Sequence, residues 1–343
     1  MNADARVATA IVLNFNGRGF GVEAVASLLA QDFVELEVVV VDNGSSDGSA
    51  EEIEEHFGAR VPLIRNGRNL GWGAGNNAGI KATRGRYVIL LNNDAVASPA
   101  FVRELVRAAE ADPSVGMVAA KLLEERRPDV IDSTGHLLYP DGLNRGRGRL
   151  ETDRGQYDEL RTALFPSGAG ALYRRAMLDQ IGLFEESFFL YGDDAELGLR
   201  ARLAGWGCAF APRAIAHHYY SRSVGAYSAQ KAFHVERNRI WIVLRHFPPS
   251  SIVASLGYTL ARLAYHAAAA FSGQGAAGHL ARESSAFALL SVTLRAWASA
   301  LRGVPRQLRA RRRLAASRRL GVAEFRSLLR EFRLSAREAA FKE

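Results

Sequence analysis

Cysteine is nearly missing from this chain. The single residue Cys208 leaves no partner for an internal disulfide and no thiolate set for a metal, which fits a reducing compartment. A charged-then-apolar leader is also lacking, because Met1-Asn2-Ala3-Asp4-Ala5-Arg6 runs straight into a strand-like segment, so the expected location is cytoplasmic. No uninterrupted apolar run of bilayer length is present. Stretches 252–271 and 284–301 are long enough but contain Arg262, His266 and Arg295. An arginine at mid-bilayer costs about 2.5 to 3.5 kcal/mol, so helices lying on a membrane or packed on the protein are expected instead of spans. Between Arg302 and Arg319 no aromatic residue interleaves with the arginines. That argues against base stacking and hence against a nucleic-acid partner.

The 343 residues are enough for one large domain with an appendage, and 48% hydrophobic and 23% charged residues are ordinary for a globular protein. The formal charge of +8 is uneven: residues 295–343 hold 14 Lys+Arg against 4 Asp+Glu, a net of +10, and the rest carries a net of −2. A basic tail of this kind seeks an anionic surface or serves as a solvated set of helix faces.

Short β-branched runs at 7–13, 36–41, 61–65 and 87–91 alternate with helical segments, the pattern of a mostly parallel α/β sheet covered on both faces. The spacing of Ser49-Ala50-Glu51-Glu52 predicts a capping box, and Ser98-Pro99 predicts a helix start. Residues 125–160, rich in Arg, Asp and Gly, read as a loop. After Phe247-Pro248-Pro249 the chain turns alanine-rich and helical, which places a boundary between a catalytic domain, 1–247, and a basic helical tail, 248–343, for membrane association or contacts between copies.

Each of the first four strands ends in a polar or glycine-rich tip, and ligands of open α/β sheets bind at such carboxyl ends. Asp42, at the end of strand two, can accept from a pyrimidine N3–H, with Asn16 and Asn43 holding base and ribose; a plain turn in which Asp42 caps the next amides is the alternative. The segment 69–79 carries Gly71, Gly73, Gly75 and Gly79, which let backbone approach a diphosphate, and Asn77 is expected to open a helix facing that anion. It lacks the G-x-G-x-x-G spacing of the dinucleotide fingerprint. Asn92-Asn93-Asp94 supplies one carboxylate which, with a diphosphate, can hold Mg²⁺ or Mn²⁺; His217-His218 offers an imidazole, with His218 favoured. Three acids in Asp193-Asp194-Ala195-Glu196 open a later helix, more than a favourable helix dipole requires.

The ordered series Asn14-x-Asn16, Asp42-Asn43-Gly44-Ser45-x-Asp47-Gly48, Asn69-x-Gly71-x-x-x-Gly75-x-Asn77, Asn92-Asn93-Asp94, Gly168 and Tyr191-Gly192-Asp193-Asp194-x-Glu196 resembles the family-two inverting glycosyltransferases of GT-A fold over residues 7–247. It is most similar to their bacterial rhamnosyltransferase-like branch. The resemblance implies a nucleotide-diphosphate sugar donor, dTDP-rhamnose or a UDP-sugar, bound by Asn14, Asn16, Asp42, Asn43, Asn69, Gly71, Gly75, Asn77, Asn92 and Asn93. It further implies a divalent metal, Mg²⁺ or Mn²⁺, at Asp94, to which His218 is the imidazole favoured above, Asp194 as catalytic base with Asp193 its neighbour, and a glycan or polyprenyl-linked acceptor at the inner membrane face. Two departures stand out: Asn92 where many members have aspartate, and Asp193 where they have glutamate. Transfer of a UDP-hexose or UDP-N-acetylhexosamine is the competing reading, and a non-catalytic nucleotide- or nucleic-acid-binding protein is the reading from another class.

Overall fold

The computed structural model describes residues 7–219, 228–273 and 286–342. The leader reading, at residues 1–6, and the first residues of the 284–301 stretch lie outside them.

A nine-stranded mixed sheet organises the molecule. Strands β1 (Ala8–Asn14), β2 (Leu36–Asp42), β3 (Leu63–Arg65) and β4 (Tyr87–Asn92) form its parallel half. The other half holds β5 (Ala95–Ala97), β6 (Val115–Glu124), β7 (Arg127–Ser133), β10 (Gly170–Arg174) and β11 (Gly207–His218). The order is β3-β2-β1-β4-β10-β6-β11-β5, with β7 on β6. β10 runs antiparallel to both β4 and β6, so the sheet is mixed and not the mostly parallel one expected. A separate hairpin pairs β8 (His136–Leu138) with β9 (Asn144–Gly146).

Alternation along β1 explains the two layers. Ala10 and Val12 point to a core with helices α1 (Gly21–Leu29) and α4 (Phe101–Glu110), whereas Ile11 and Leu13 point to the opposite core. Between them fall α2 (Ser49–Phe57) and α3 (Trp72–Ala82), followed later by α5 (Arg175–Ile181), α6 (Asp193–Leu203) and α7 (Ala229–His246). The C-terminal helices are α8 (Pro249–Ser272), α9 (Ala286–Ala315), α10 (Val322–Glu331) and α11 (Ala336–Phe341).

Several local readings are corrected. Residues 125–160 hold β7, β8 and β9; the first three residues of β7 are exposed on the edge, so no continuous apolar pattern marks it. Helix α3 begins at Trp72, five residues before Asn77. Its glycines are helical because the helix lies directly on the sheet: a Cβ at Gly75 would sit 2.5 Å from Leu13 Cδ1, and one at Gly79 2.8 Å from Ile11 Cγ2. The capping box of α2 does not form. Gly48, left-handed at φ 82°, is the N-cap, Ser49 Oγ donates to Asp47 Oδ1 (2.6 Å), and Glu52 accepts from Gly19 N (3.1 Å). α4 starts at Phe101, not at Pro99, because Ser98 and Pro99 make a turn closed by Phe101 N on Ser98 O (3.0 Å).

The C-terminal helices pack on the rest of the chain, one of the two arrangements expected. Ala300, Phe325, Leu328 and Phe332 join the same core as Ile11 and Leu13. Arg262, the residue that disfavoured a membrane span, is buried, donating to Asp141 (2.6 Å) and Glu236 (2.9 Å). Among the described residues no helix is long and apolar enough to cross a membrane.

Candidate active site

The carboxyl ends of β1, β2, β4 and β11 meet the start of β10 and the N-terminus of α6 around one cavity of about 740 Å³. β4 lies between β1 and β10 and delivers Asn92, Asn93 and Asp94 to its floor. β11 ends at His218 on the same side, because β11 is parallel to β6. His218 Nε2 stands 3.3 Å from Asp94 Oδ1 and Nδ1 lies 2.8 Å from Asp132 Oδ2, while Arg149 pairs with the other oxygen of Asp132. Burial opposes charge on His218, but the Asp94 and Asp132 carboxylates outweigh it and raise the pKa to about 10. His217, one residue earlier on the strand, points away toward Glu125 (3.9 Å).

The donor set suits a hard divalent cation. Asp94 offers the carboxylate oxygen, and His218, paired with it at 3.3 Å, would join as a ligand on giving up its Nε2 proton to make room for the ion. Asp132 would hold the imidazole from behind, as carboxylates do for metal-bound histidines. Among the described residues no group of three or more His, Cys, Asp or Glu forms a closed metal cage. Further positions would therefore fall to substrate oxygens and water.

Across the cavity, Gly192 is left-handed at φ 79° and starts α6, so that the first two helical residues are the paired acids. Phe189 and Tyr191, just before it, have φ of 65° and 64°, a conformation that side chains resist. Asn238 of α7 holds this loop by donating to the carbonyls of Phe188 (3.0 Å), Leu190 (3.0 Å) and Tyr191 (2.6 Å). Asp194 lines the cavity; its Oδ2 accepts from Gly168 N (3.3 Å) and its Oδ1 from Ala195 N (2.8 Å). Asp193 is only 2% exposed, and burial followed by repulsion from Asp194 lifts its pKa to about 8. The two carboxylates are thus unequal: Asp193 holds its proton at neutral pH.

His136 comes within 4.0 Å of Asp194 Oδ2 through Nε2. Asn144 Nδ2 lies 2.8 Å from its Nδ1; when the amide donates there, the ring proton sits on Nε2, facing Asp194. Burial lowers the His136 pKa and keeps the ring neutral. His136, Asp132 and Arg149 all come from the stretch read as a loop. Three charged or imidazole side chains within eighteen residues were the signal there, hidden by the missing strand pattern.

The expected donor-binding residues divide in two. Asn43, Asn69, Gly71, Asn92 and Asn93 line the cavity beside Trp72, whose Nε1 donates to Asn92 Oδ1 (3.1 Å). Asn14, Asn16, Asp42, Gly75 and Asn77 do not line it. Asn14 is buried, tying Asp42 (3.2 Å), Ser45 (3.2 Å) and Ser49 (2.9 Å) together. Asp42 Oδ2 caps Gly44 N (3.1 Å) and Ser45 N (3.2 Å), the turn-capping alternative. Asn16 is exposed and accepts from Ser46 N (2.9 Å). Asn77 lies inside α3, and its amide clasps the backbone of Phe184 (2.9 and 3.0 Å) instead of opening a helix toward an anion.

A profile described as Glycosyltransferase like family 2 matches residues 5–235. The chain belongs to that family. It is 28% identical over 235 residues to an N-acetylglucosaminyl-diphospho-decaprenol L-rhamnosyltransferase of Mycobacterium tuberculosis, covering 62% of this chain and 76% of that one. Among solved structures, GalNAc-T7 with UDP, GalNAc and Mn²⁺ superposes at TM-score 0.56 and 16% identity, over 71% of this chain and 48% of that one. The mannosyltransferase PcManGT of Pyrobaculum calidifontis with GDP-Man and Mn²⁺ gives 0.53 and 18%, over 88% and 87%. These likenesses establish the GT-A fold of the family 2 glycosyltransferase.

Proposed function

We propose that this glycosyltransferase moves a sugar, a deoxyhexose such as rhamnose, from a nucleoside diphosphate to a lipid-linked glycan acceptor with inversion. One observation carries the reading: the Asp194 carboxylate and the Asp94–His218 pair line a single cavity at the carboxyl ends of the strands. The polyprenyl-linked acceptor and rhamnosyl donor rest on the mycobacterial relative's name.

Asp194 takes the proton of the acceptor hydroxyl as its oxygen bonds to the anomeric carbon, and the bond from that carbon to the diphosphate breaks with its electron pair on the leaving oxygen. Gly168 N–H and the first turn of α6 fix the carboxylate, and the neutral Asp193 behind it adds no second negative charge. Asn43, Asn69 and Gly71 flank the nucleotide. Asp94 and His218 would hold Mg²⁺ or Mn²⁺, whose chemistry there is to neutralise charge on the departing diphosphate. The basic residues of α9 to α11 seat the protein on the anionic inner face of the cell membrane, where such an acceptor resides.

The test is hydrolysis and transfer with a panel of dTDP-, UDP- and GDP-sugars, with and without EDTA. dTDP-rhamnose should be turned over and EDTA should suppress the reaction until Mg²⁺ or Mn²⁺ is restored. Preference for a UDP-hexose or UDP-N-acetylhexosamine would replace the donor, and full activity in excess EDTA would remove the metal.

A further inference from the structure

The cavity does not end at the carboxylates. It continues away from the sheet between α7, α8 and α9, where Ile242, Leu263, Ala270, Leu289 and Val292 line it. All five lie beyond residue 235, where the family match stops. These lining residues therefore belong to the part of the chain that follows the family match.

Its chemistry is graded. At the collar, where the polar end meets the arm, Arg145, Lys231, Arg239 and Arg262 line the wall with Glu236. Arg239 and Arg262 share Glu236 and the buried Asp141, and the Arg145 and Lys231 side chains line the same cavity. Beyond it the lining is aliphatic. At 3.6 residues per turn, Leu256, Leu260, Leu263 and Ala267 of α8 fall within about 60° of one another. Leu256 and Leu260 are 68% and 67% exposed, whereas Leu263 and Ala267 line the cavity. The arm thus opens onto an exposed apolar stripe that continues to Val253 at 71% exposure. A ligand matching this sequence carries a sugar at the carboxylate, an anionic group at the collar and a hydrocarbon chain that leaves along α8.

We infer that the α7–α8–α9 arm is the binding site for the isoprenoid hydrocarbon of a prenyl-diphosphate-linked acceptor, with the collar facing its diphosphate. This rests on the lipid-linked reading above and names the residues that would take the lipid. Each further isoprene unit buries more apolar surface in the arm, so chain length should register in affinity.

The experiment is calorimetric titration of the intact chain, without metal or donor, using inorganic diphosphate, farnesyl diphosphate and geranylgeranyl diphosphate below their micelle concentrations. Affinity should rise at least tenfold from inorganic to farnesyl diphosphate and at least threefold more to geranylgeranyl diphosphate. Ala270→Trp, which fills the arm, should erase both increments and leave the affinities for inorganic diphosphate and for UDP or dTDP within twofold. If that variant melts early, Leu263→Gln serves in its place, since Leu263 is only half-buried. Affinity independent of chain length, or an equal loss for all three probes in the variants, overturns the inference. Chain-length dependence that persists in a protein binding no nucleoside diphosphate and transferring no sugar would instead leave the arm standing and remove the glycosyltransfer reading.

Discussion

The paired acids at the start of α6 differ by environment and not by chemistry. Asp193 faces Gly73 and the wall of α7, and its pKa of about 8 compares with about 4 in an unfolded chain. Between those values folding takes up a proton, so this residue's contribution to stability is fully present below pH 4, declines as pH rises and is lost above pH 8. Asp193→Asn should flatten that dependence and raise the melting temperature most at pH 8 and above; equal melting temperatures for variant and wild type at pH 8.5 would contradict the burial argument. His136 belongs to the same scale. Its Nε2 needs to move only about 1 Å to hydrogen-bond Asp194, and catalytic contacts commonly tighten when substrate binds. His136→Ala should lower kcat about tenfold or more with the donor KM unchanged. His136→Gln, which keeps an N–H at that reach, should recover part of that loss. An unchanged kcat in the alanine variant, or no recovery in the glutamine variant, would reduce His136 to a packing residue.

Among the elements, α6 is anchored from inside. Glu196, wholly buried, accepts from Arg200 (2.6 Å), Arg245 (3.2 Å) and His246 (3.2 Å), and Arg245 continues to Gln307 of α9. Burial pushes the Glu196 pKa up, but Arg200, His246 and Arg245 hold it well below the ordinary carboxylate range. Its stabilisation is thus present above the unfolded pKa and lost as pH falls below it. Glu196→Gln should cost about 3 to 5 kcal/mol in thermal or urea unfolding at pH 7, because Arg200 is left buried without its carboxylate and Arg245 keeps only Glu185. A loss under 1 kcal/mol would show that neighbouring groups or water compensate. This cluster explains why so much of the site, yet less of its support, was legible in the sequence. Buried parallel strands β1, β2 and β4 announce themselves by apolar runs, and the tips that follow them must be polar. In edge strand β7 and the β8–β9 hairpin, Asp132 and His136 meet His218 and Asp194 from far along the chain, so no local pattern revealed them. Likewise, Asn14 and Asp42 stand at strand ends and Asn77 inside α3, and whether such a polar side chain faces a ligand or its own scaffold is decided by neighbours 28 to 107 residues away.

At the scale of the molecule, the C-terminal helices have two faces. One completes the core through Phe325 and Phe332, and a parallel bridge joins Leu138 to the backbone at Phe332 and Leu334 (2.9 and 3.0 Å). A chain cut before Pro249 would lose these contacts, so it does not report on a detachable tail. The other face presents apolar residues of α8 beside the arginines of α9, and the net charge of +10 over residues 295–343 is suited to an anionic bilayer. The intact chain should bind vesicles containing phosphatidylglycerol at low salt and release at 1 M, where the screening length falls to about 3 Å. Leu256→Glu with Leu260→Glu should weaken that binding at least fivefold without lowering the melting temperature. If the intact chain ignores such vesicles at low salt, the exposed face serves contacts between copies instead.

Residue, element and molecule meet at one carboxylate. With Asp194 proposed to act on the acceptor hydroxyl and not on the donor, Asp194→Asn should abolish sugar transfer, by a factor of about a thousand or more, while nucleoside diphosphate affinity stays within a few-fold of the unchanged protein. Turnover near the original rate in Asp194→Asn would contradict the central claim.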